Sequence, residues 1–154
     1  TWNAIYRAVG VALPTTTVVS TPLYCYFRYN TTDTKWDLQG TSVVAAAGLH
    51  TTTITSSATP TPDVDGQDNM FIVTAQAADA TSGAPTGSTS QGQKLIIRIK
   101  DNATARTLAY NAVYRAGTDV ALPTTTVVSK TLYMGFIYNS TDTKWDLVAR
   151  TNYL

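Results

Sequence analysis

A long internal repeat constrains this sequence more than any other feature. Of the 28 positions in residues 11–38, 22 are identical to those in residues 120–147, and "VALPTTTVVS" is unchanged in both copies. The match continues upstream, where "NAIYRA" (3–8) corresponds to "NAVYRA" (111–116). An offset of 109 positions exceeds the roughly 20–50 residues of a solenoid unit and is typical of a whole domain. The sequence therefore predicts a duplicated domain.

The repeat also predicts how the chain is divided. Residues 1–40 correspond to residues 109–149, so residues 49–154 are predicted to form one complete repeat. Residues 1–48 are predicted to be the C-terminal half of a preceding repeat plus a connector. On this interpretation the chain comes from a protein built by tandem duplication, and the first copy in this sequence is truncated.

Short runs of β-branched and aromatic residues predict strands along the chain. These runs are residues 69–77, 94–101, 106–116, 131–139 and 145–149. Within the third run, alternation predicts that Leu108, Tyr110, Ala112 and Tyr114 share one face. Clusters of Gly, Pro, Ser, Thr, Asn and Asp separate the runs and predict turns. About seven short strands in a repeat favour an all-β fold, an antiparallel β-sandwich of jelly-roll-like form.

The repeated "NTTDTKWDL" (30–38) and "NSTDTKWDL" (139–147) predict two equivalent β-hairpins. In the second copy, Asn139 and Asp142 are expected to bond the turn through their side chains. Aromatic residues flank each turn and are predicted to form cross-strand pairs, each contributing about 0.2–1 kcal/mol. The predicted pairs are Tyr29 with Trp36 and Tyr138 with Trp145. Fixing strand register is a structural reason for the repetition that requires no active site.

Composition and charge exclude several classes of function. Only 14% of residues are charged, the net charge is +1, and the lysines and arginines are scattered, so no nucleic-acid partner is predicted. No apolar run approaches the roughly 20 residues needed to cross a bilayer, so membrane insertion is not predicted.

The sequence offers no catalytic constellation and no cofactor motif. His50 is the only histidine and is predicted to lie in a solvated connector, and glutamate is absent. Cys25 is the only cysteine, which excludes an intrachain disulfide and favours a packed thiol in a strand. No glycine-rich phosphate loop is present. We therefore predict a protein without catalytic residues or a cofactor.

One aspartate cluster is a weak candidate for calcium binding. "PDVDGQDN" (62–69) places Asp63, Asp65 and Asp68 around a glycine, and closely spaced carboxylates can bind calcium. The spacing is not that of an EF-hand loop, which also needs a distal glutamate. A turn that opens a strand explains the same residues, and we favour no metal here.

Three features together resemble a known family. They are "GQKLIIRIKDN" (92–102), the repeated "LPTTTV", and the hairpin pattern L-Y-x-x-F-x-Y-N-x-x-x-x-K-W-D-L (132–147). They are similar to a repeated β-rich module of tailed-bacteriophage structural proteins, of the tail-fibre-like and head-decoration type. The resemblance covers residues 1–40 and 49–149. It implies a location on the virion surface, and partners that are other virion proteins and further copies of the chain, with trimers favoured. It implies no catalytic residues.

Two functions remain open from the sequence, and a third is disfavoured. The first is a non-enzymatic virion structural protein, a capsid-decoration, fibre or tail-fibre module. The alternative is an adhesin module that binds a receptor or a host surface glycan, which exposed tryptophans would favour. An enzyme would need a feature such as two carboxylates roughly 5–9 Å apart in a pocket.

Overall fold

The computed structural model describes residues 1–16, 23–43, 49–151 and 153–154. Parts of two predicted features therefore lie outside the described residues: positions 17–20 of the repeated "VALPTTTVVS" and positions 44–48 of the connector. The described residues form thirteen β-strands and no helix, which confirms the predicted all-β class.

The chain divides into two compact units, Thr1–Ala47 and Gly48–Leu154. The first unit contains β1 (Tyr6–Ala8), β2 (Leu23–Asn30) and β3 (Lys35–Val43). The second contains β4 (His50–Ile54), β5 (Asp63–Asp65), β6 (Asn69–Gln76), β7 (Ala80–Ser82), β8 (Thr86–Ser88), β9 (Lys94–Asp101), β10 (Leu108–Tyr110), β11 (Tyr114–Ala116), β12 (Thr131–Asn139) and β13 (Lys144–Arg150). That the units are a partial and a complete repeat stays a prediction.

The second unit is organised around a six-stranded sheet, the large sheet, with the order β11-β13-β12-β9-β6-β4. Strand β12 is antiparallel to β9 and β13, whereas β6 is parallel to β4 and β9, and β11 is parallel to β13. The prediction of an antiparallel architecture is therefore wrong, because the large sheet is mixed. Alternation along a strand reveals that a strand exists, but its direction depends on how the chain crosses between strands. The jelly-roll-like sandwich stays a prediction.

The core of the second unit lies on one face of the large sheet. Alternate residues of its central strands are buried there, as expected for strands that are packed mainly on one side. They are Phe71 and Val73 of β6, Leu95, Ile97 and Ile99 of β9, and Leu132, Met134 and Phe136 of β12. Val64, Ala80, Leu108, Tyr114, Trp145 and Leu147 join the same cluster.

The first unit forms a three-stranded sheet, the small sheet, with the order β1-β3-β2. This order matches β11-β13-β12 at one end of the large sheet. The register also matches, since Tyr6 lies opposite Trp36 as Tyr114 lies opposite Trp145. Strands β2 and β12 each contain a register shift, before Phe27 and before Phe136. The repeated sequence thus folds into the same three-strand arrangement in both units.

The predicted strand at 106–116 is two short strands, β10 and β11, separated by a turn. Asn111 makes this turn: its Oδ1 accepts from the Val113 amide at 3.0 Å, and its carbonyl accepts from the Tyr114 amide at 3.0 Å. Ala112 is an exposed turn residue and β10 and β11 belong to different sheets, so the prediction that Leu108, Tyr110, Ala112 and Tyr114 share one strand face is wrong. An asparagine side chain that bonds its own backbone competes with the strand ladder, which alternation alone does not reveal.

Candidate assembly surface

The two repeated hairpins are closed by the same side-chain bonds. Asn139 Oδ1 accepts from the Thr141 and Asp142 amides at 3.0 and 3.3 Å. Asn30 Oδ1 does the same for Thr32 and Asp33. The last turn residue is left-handed in both hairpins, Thr143 with φ 55° and Thr34 with φ 54°. A threonine in this conformation is unusual because its branched Cβ is crowded there.

An arginine from the neighbouring strand binds each hairpin. Arg115 on β11 donates to Asp146 from Nε at 2.7 Å and to Asp142 from Nη2 at 2.8 Å. Hydrogen bonds from Arg115, together with a bond from Asn139, hold the pKa of Asp146 below its ordinary value of 3.8. The hydrogen bond to Asp146 is the main cause of a raised pKa of Arg115, and the bond to Asp142 raises it further. This cluster fastens the turn to β11 through charge-assisted bonds.

The first unit repeats the arginine cluster. Arg7 on β1 donates to Asp37 from Nε at 2.8 Å and to Asp33 from Nη1 at 2.8 Å. The hydrogen bond from Arg7 is the main cause of the lowered pKa of Asp37. A lysine adds a further tie in each copy, since Lys35 donates to the Ala4 carbonyl and Lys144 to the Ala112 carbonyl, each at 2.7 Å.

The roles of Arg7 and Arg115 were not predicted from the sequence, although the sequence contains a signal for them. The "YR" dipeptide recurs at 6–7 and 114–115, and in each copy it accompanies a "DTKWD" motif whose two aspartates are four residues apart. A positive residue kept with a repeated pair of aspartates indicates an ion-pair cluster. The distance between the motifs along the chain concealed the pairing.

The aromatic pairs lie where the hairpins were predicted to place them, but their environments differ. Tyr138 and Trp145 are direct cross-strand partners with ring centroids 5.0 Å apart, and Tyr29 and Trp36 have centroids 5.1 Å apart. Trp145 is only 2% exposed, whereas Trp36 is 39% exposed. The same pair is therefore part of a core in one unit and part of a surface in the other.

Residues upstream of the repeated segment cover Trp145. We call residues 49–108 of the second unit the front segment. Its residues Ala84, Pro85, Gly87 and Thr89 line, with Tyr138 and Trp145, a hollow of about 290 Å³. The Gly83 carbonyl accepts a bond from the Tyr114 hydroxyl at 3.1 Å. The front segment also supplies β9, which pairs with β12.

The equivalent surface of the first unit comprises β2 and the aromatic residues beside it. Among the described residues β2 pairs with β3 alone, so its other edge carries no strand in the small sheet. Tyr24 and Tyr26 are 52% and 58% exposed on its outward face. On its inward face Leu23, Cys25 and Phe27 are half-buried, whereas the equivalent residues Leu132, Met134 and Phe136 are buried. We call the β2 edge, its inward face and Trp36 the assembly surface.

The structure does not bring the three calcium candidates together. Asp63 accepts from the Thr86 hydroxyl, Asp68 pairs with Lys94 at 3.0 Å, and Asp65 accepts from Asn69 at 3.1 Å. Within the described part of the chain, no group of three or more His, Cys, Asp or Glu side chains is placed to bind a metal. The bond from Asn69 is the main cause of the lowered pKa of Asp65, and bonds from Lys94 lower that of Asp68.

His50 opens strand β4 rather than lying in a connector. Its Nδ1 is 3.0 Å from Nδ2 of the buried Asn69 and 3.8 Å from Asp65 Oδ2, and its side chain remains exposed. The predicted connector histidine is therefore wrong in its placement, because Asn69 and Asp65 tie it to the start of β6. No described residue belongs to a helix that is long and apolar enough to cross a membrane.

Comparison with known proteins adds no relative. Neither the scan against protein-family models nor the search of curated proteins finds a match to this sequence. The resemblance to a bacteriophage structural module therefore depends on the motifs alone and continues as a proposal.

Proposed function

We propose that this chain is a non-enzymatic structural protein of a virus-particle surface, a capsid-decoration, fibre or tail-fibre module that acts by assembly. The observation that carries the proposal is the assembly surface. This surface exposes a strand edge and Trp36, whereas the front segment covers the equivalent edge of β12 and Trp145 in the second unit. An uncovered strand edge beside apolar side chains favours pairing with another chain. In this proposal the chain is a tandem repeat of a jelly-roll-like module with a truncated first copy.

Two properties of the repeat support a structural role. In each hairpin an arginine, two aspartates, an asparagine and a lysine form the same bonds. These bonds fix the register of the two hairpin strands and therefore the shape of the surface that they present. The chain also carries few charges, which limits repulsion between copies in a dense array. We propose that its partners are further copies of itself, with trimers favoured by the resemblance, and other virion proteins.

Quantitative mass spectrometry of purified particles from the source tests this function. The peptide TLAYNAVYR (107–115) lies between two arginine cleavage sites, occurs once in the chain and reports its copy number per particle. A high copy number is expected for a capsid or tail lattice, and a low but constant number for a fibre. Absence of the peptide from particles would contradict the proposal.

A glycan-binding adhesin is the second candidate, and exposed aromatic rings favour it. Trp2 and Trp36 are both more than one-third exposed, and Trp2 lines a hollow of about 400 Å³ with Pro14 and Leu23. Flat aromatic faces are suited to stacking on sugar rings. On a glycan array the adhesin is supported if the full chain binds a glycan and Trp36→Ala or Trp2→Ala abolishes binding. If the array shows no binding, the adhesin is rejected.

A further inference from the structure

We propose that the assembly surface binds a further copy of the front segment, one whose β9 is not already paired with a β12, and that this strand is added antiparallel to β2. This inference deepens the proposed assembly function and rests on it. The template is within the molecule, because the second unit shows the same three strands with the front segment in place. Within the described residues, the small sheet ends at β2, where the large sheet continues from β12 to β9.

The template fixes the register of the added strand. In the large sheet the inward residues of β12 and β9 lie opposite each other as Leu132 with Ile99, Met134 with Ile97, and Phe136 with Leu95. The equivalent residues of β2 are Leu23, Cys25 and Phe27. An added strand in this register would bring three aliphatic side chains onto the half-buried inward face of β2. Burial of that apolar surface, together with pairing of the free strand edge, would drive the association.

The aromatic residues of the first unit are also arranged as they are beneath the front segment. Tyr114 lies 6.0 Å from Tyr110 and 5.2 Å from Phe136, measured between ring centroids. Tyr6 occupies the place of Tyr114, and its ring lies 5.5 Å from Trp2 and 5.0 Å from Phe27. The arrangement of aromatic rings that lies beneath the front segment in the second unit is therefore already formed in the first unit.

The outward face of β2 carries one further match and one mismatch. Tyr133 lies opposite Arg98, whose guanidinium is 6.0 Å from the ring centre, and the exposed Tyr24 is its equivalent. An added strand would place a second arginine over Tyr24. The mismatch is Arg28, which replaces Ile137, the residue opposite Lys94. Two facing positive charges, Arg28 and the added Lys94, weaken pairing at this position, so removing either charge should strengthen the docking.

A fusion tests the proposal in the full chain. Thr1 is equivalent to Ala109, so a second copy of residues 49–108 can be joined directly ahead of Thr1 without changing the spacing. Cys25 is the only cysteine and becomes the equivalent of the buried Met134. We expect the rate of Cys25 labelling by a soluble thiol reagent to fall roughly 100-fold or more, because a buried thiol reacts only through opening of the structure.

Matched variants show whether the register is the proposed one. In the same fusion with Ile97→Asp in the added copy, Cys25 should be labelled as fast as in the unfused chain, because a charged residue opposite Cys25 prevents docking. Ile97→Cys in the added copy should form a disulfide with Cys25, whereas Ile96→Cys, on the opposite face, should not. Arg28→Ile should slow labelling of the fusion further. Unchanged labelling in the fusion, or equal cross-linking of the two cysteine variants, would overturn the inference.

The result is separable from the test of the proposed function. A protected thiol in the fusion supports docking, and if the peptide is absent from particles, the docking stands while the virion role is rejected. A reactive thiol in the fusion rejects the docking, whatever the particle measurement shows.

Discussion

The hairpins of β2–β3 and β12–β13 have nearly the same sequence and the same internal bonds, but they occupy different environments. Both contain the asparagine turn, the arginine cluster, the left-handed threonine and the tilted aromatic pair. Trp145 is nevertheless a core residue, whereas Trp36 lies on the surface. The comparison separates two kinds of determinant. Local sequence sets the shape of the hairpin, and a distant segment sets how much of it is buried.

The largest expected difference concerns the two tryptophans. Trp145→Ala removes a fully buried ring and should destabilise β12–β13 by about 3–5 kcal/mol. Trp36→Ala removes a partly exposed ring and should destabilise β2–β3 by about 1 kcal/mol or less. Hydrogen exchange of backbone amides, followed by mass spectrometry, measures each hairpin separately in the full chain. Equal losses in the two hairpins would contradict the account.

A second substitution should make the second unit resemble the first. Gly87 has φ +92°, and a Cβ there would overlap the Val64 carbonyl oxygen, so Gly87→Ala should destabilise the second unit by about 2–3 kcal/mol. Gly87 lies beside Trp145, so acrylamide should quench the Trp145 fluorescence more strongly in the Gly87→Ala variant than in the chain with Gly87. Both proteins carry Phe in place of Trp2 and Trp36, so that Trp145 is the only tryptophan. Gly92→Ala is a control for positive φ alone, since its Cβ would meet no atom.

The left-handed threonines should respond equally, because their strain is local. Thr34→Asn and Thr143→Asn place a residue that tolerates positive φ in each turn. Each should stabilise its hairpin by up to about 1 kcal/mol, partly offset by loss of the bond from the threonine hydroxyl to the preceding carbonyl. Thermal unfolding and hydrogen exchange measure the effect. A gain in one hairpin only would show that burial, rather than local geometry, controls the turn.

The smallest expected effect is the pH dependence of stability, which should be the same in the two hairpins. The pKa values of Asp37 and Asp146 are lowered below 3.8 in the folded chain, mainly by bonds from Arg7 and Arg115. Because the folded pKa lies below the unfolded one, this stabilisation is complete above about pH 4 and is lost as the pH falls through the folded pKa. Carbon-13 NMR titration of the carboxyl groups measures both values.

A single substitution separates the two clusters in that titration. Arg115→Gln should return the pKa of Asp146 towards 3.8 and leave that of Asp37 unchanged. A pKa of Asp146 that does not move would mean that Arg115 is not the main cause of its shift.

The sequence predicted what depends on short stretches of chain. Strand alternation, turn residues and the repeat were sufficient for the all-β class and for both hairpins, because these features depend on neighbouring residues. Strand direction in the large sheet was predicted wrongly, since the parallel pairs of β6 depend on crossovers that alternation does not encode. The Asn111 turn escaped detection because "LAYNAVY" alternates through it. Burial of Trp145 depends on residues 84–89, far from it in sequence.

The most direct test of the central claim compares two thiols at equivalent positions. Cys25 lies on the inward face of β2, and Met134 occupies the same place on β12 with 0% exposure. Labelling rates are measured for Cys25 in the native chain and for the thiol that Met134→Cys introduces in a Cys25→Ser background. We expect rapid labelling of Cys25, whereas the thiol at position 134 should be labelled only through rare opening of the second unit. Equal protection of the two thiols would show that β2 is already covered and would contradict the account.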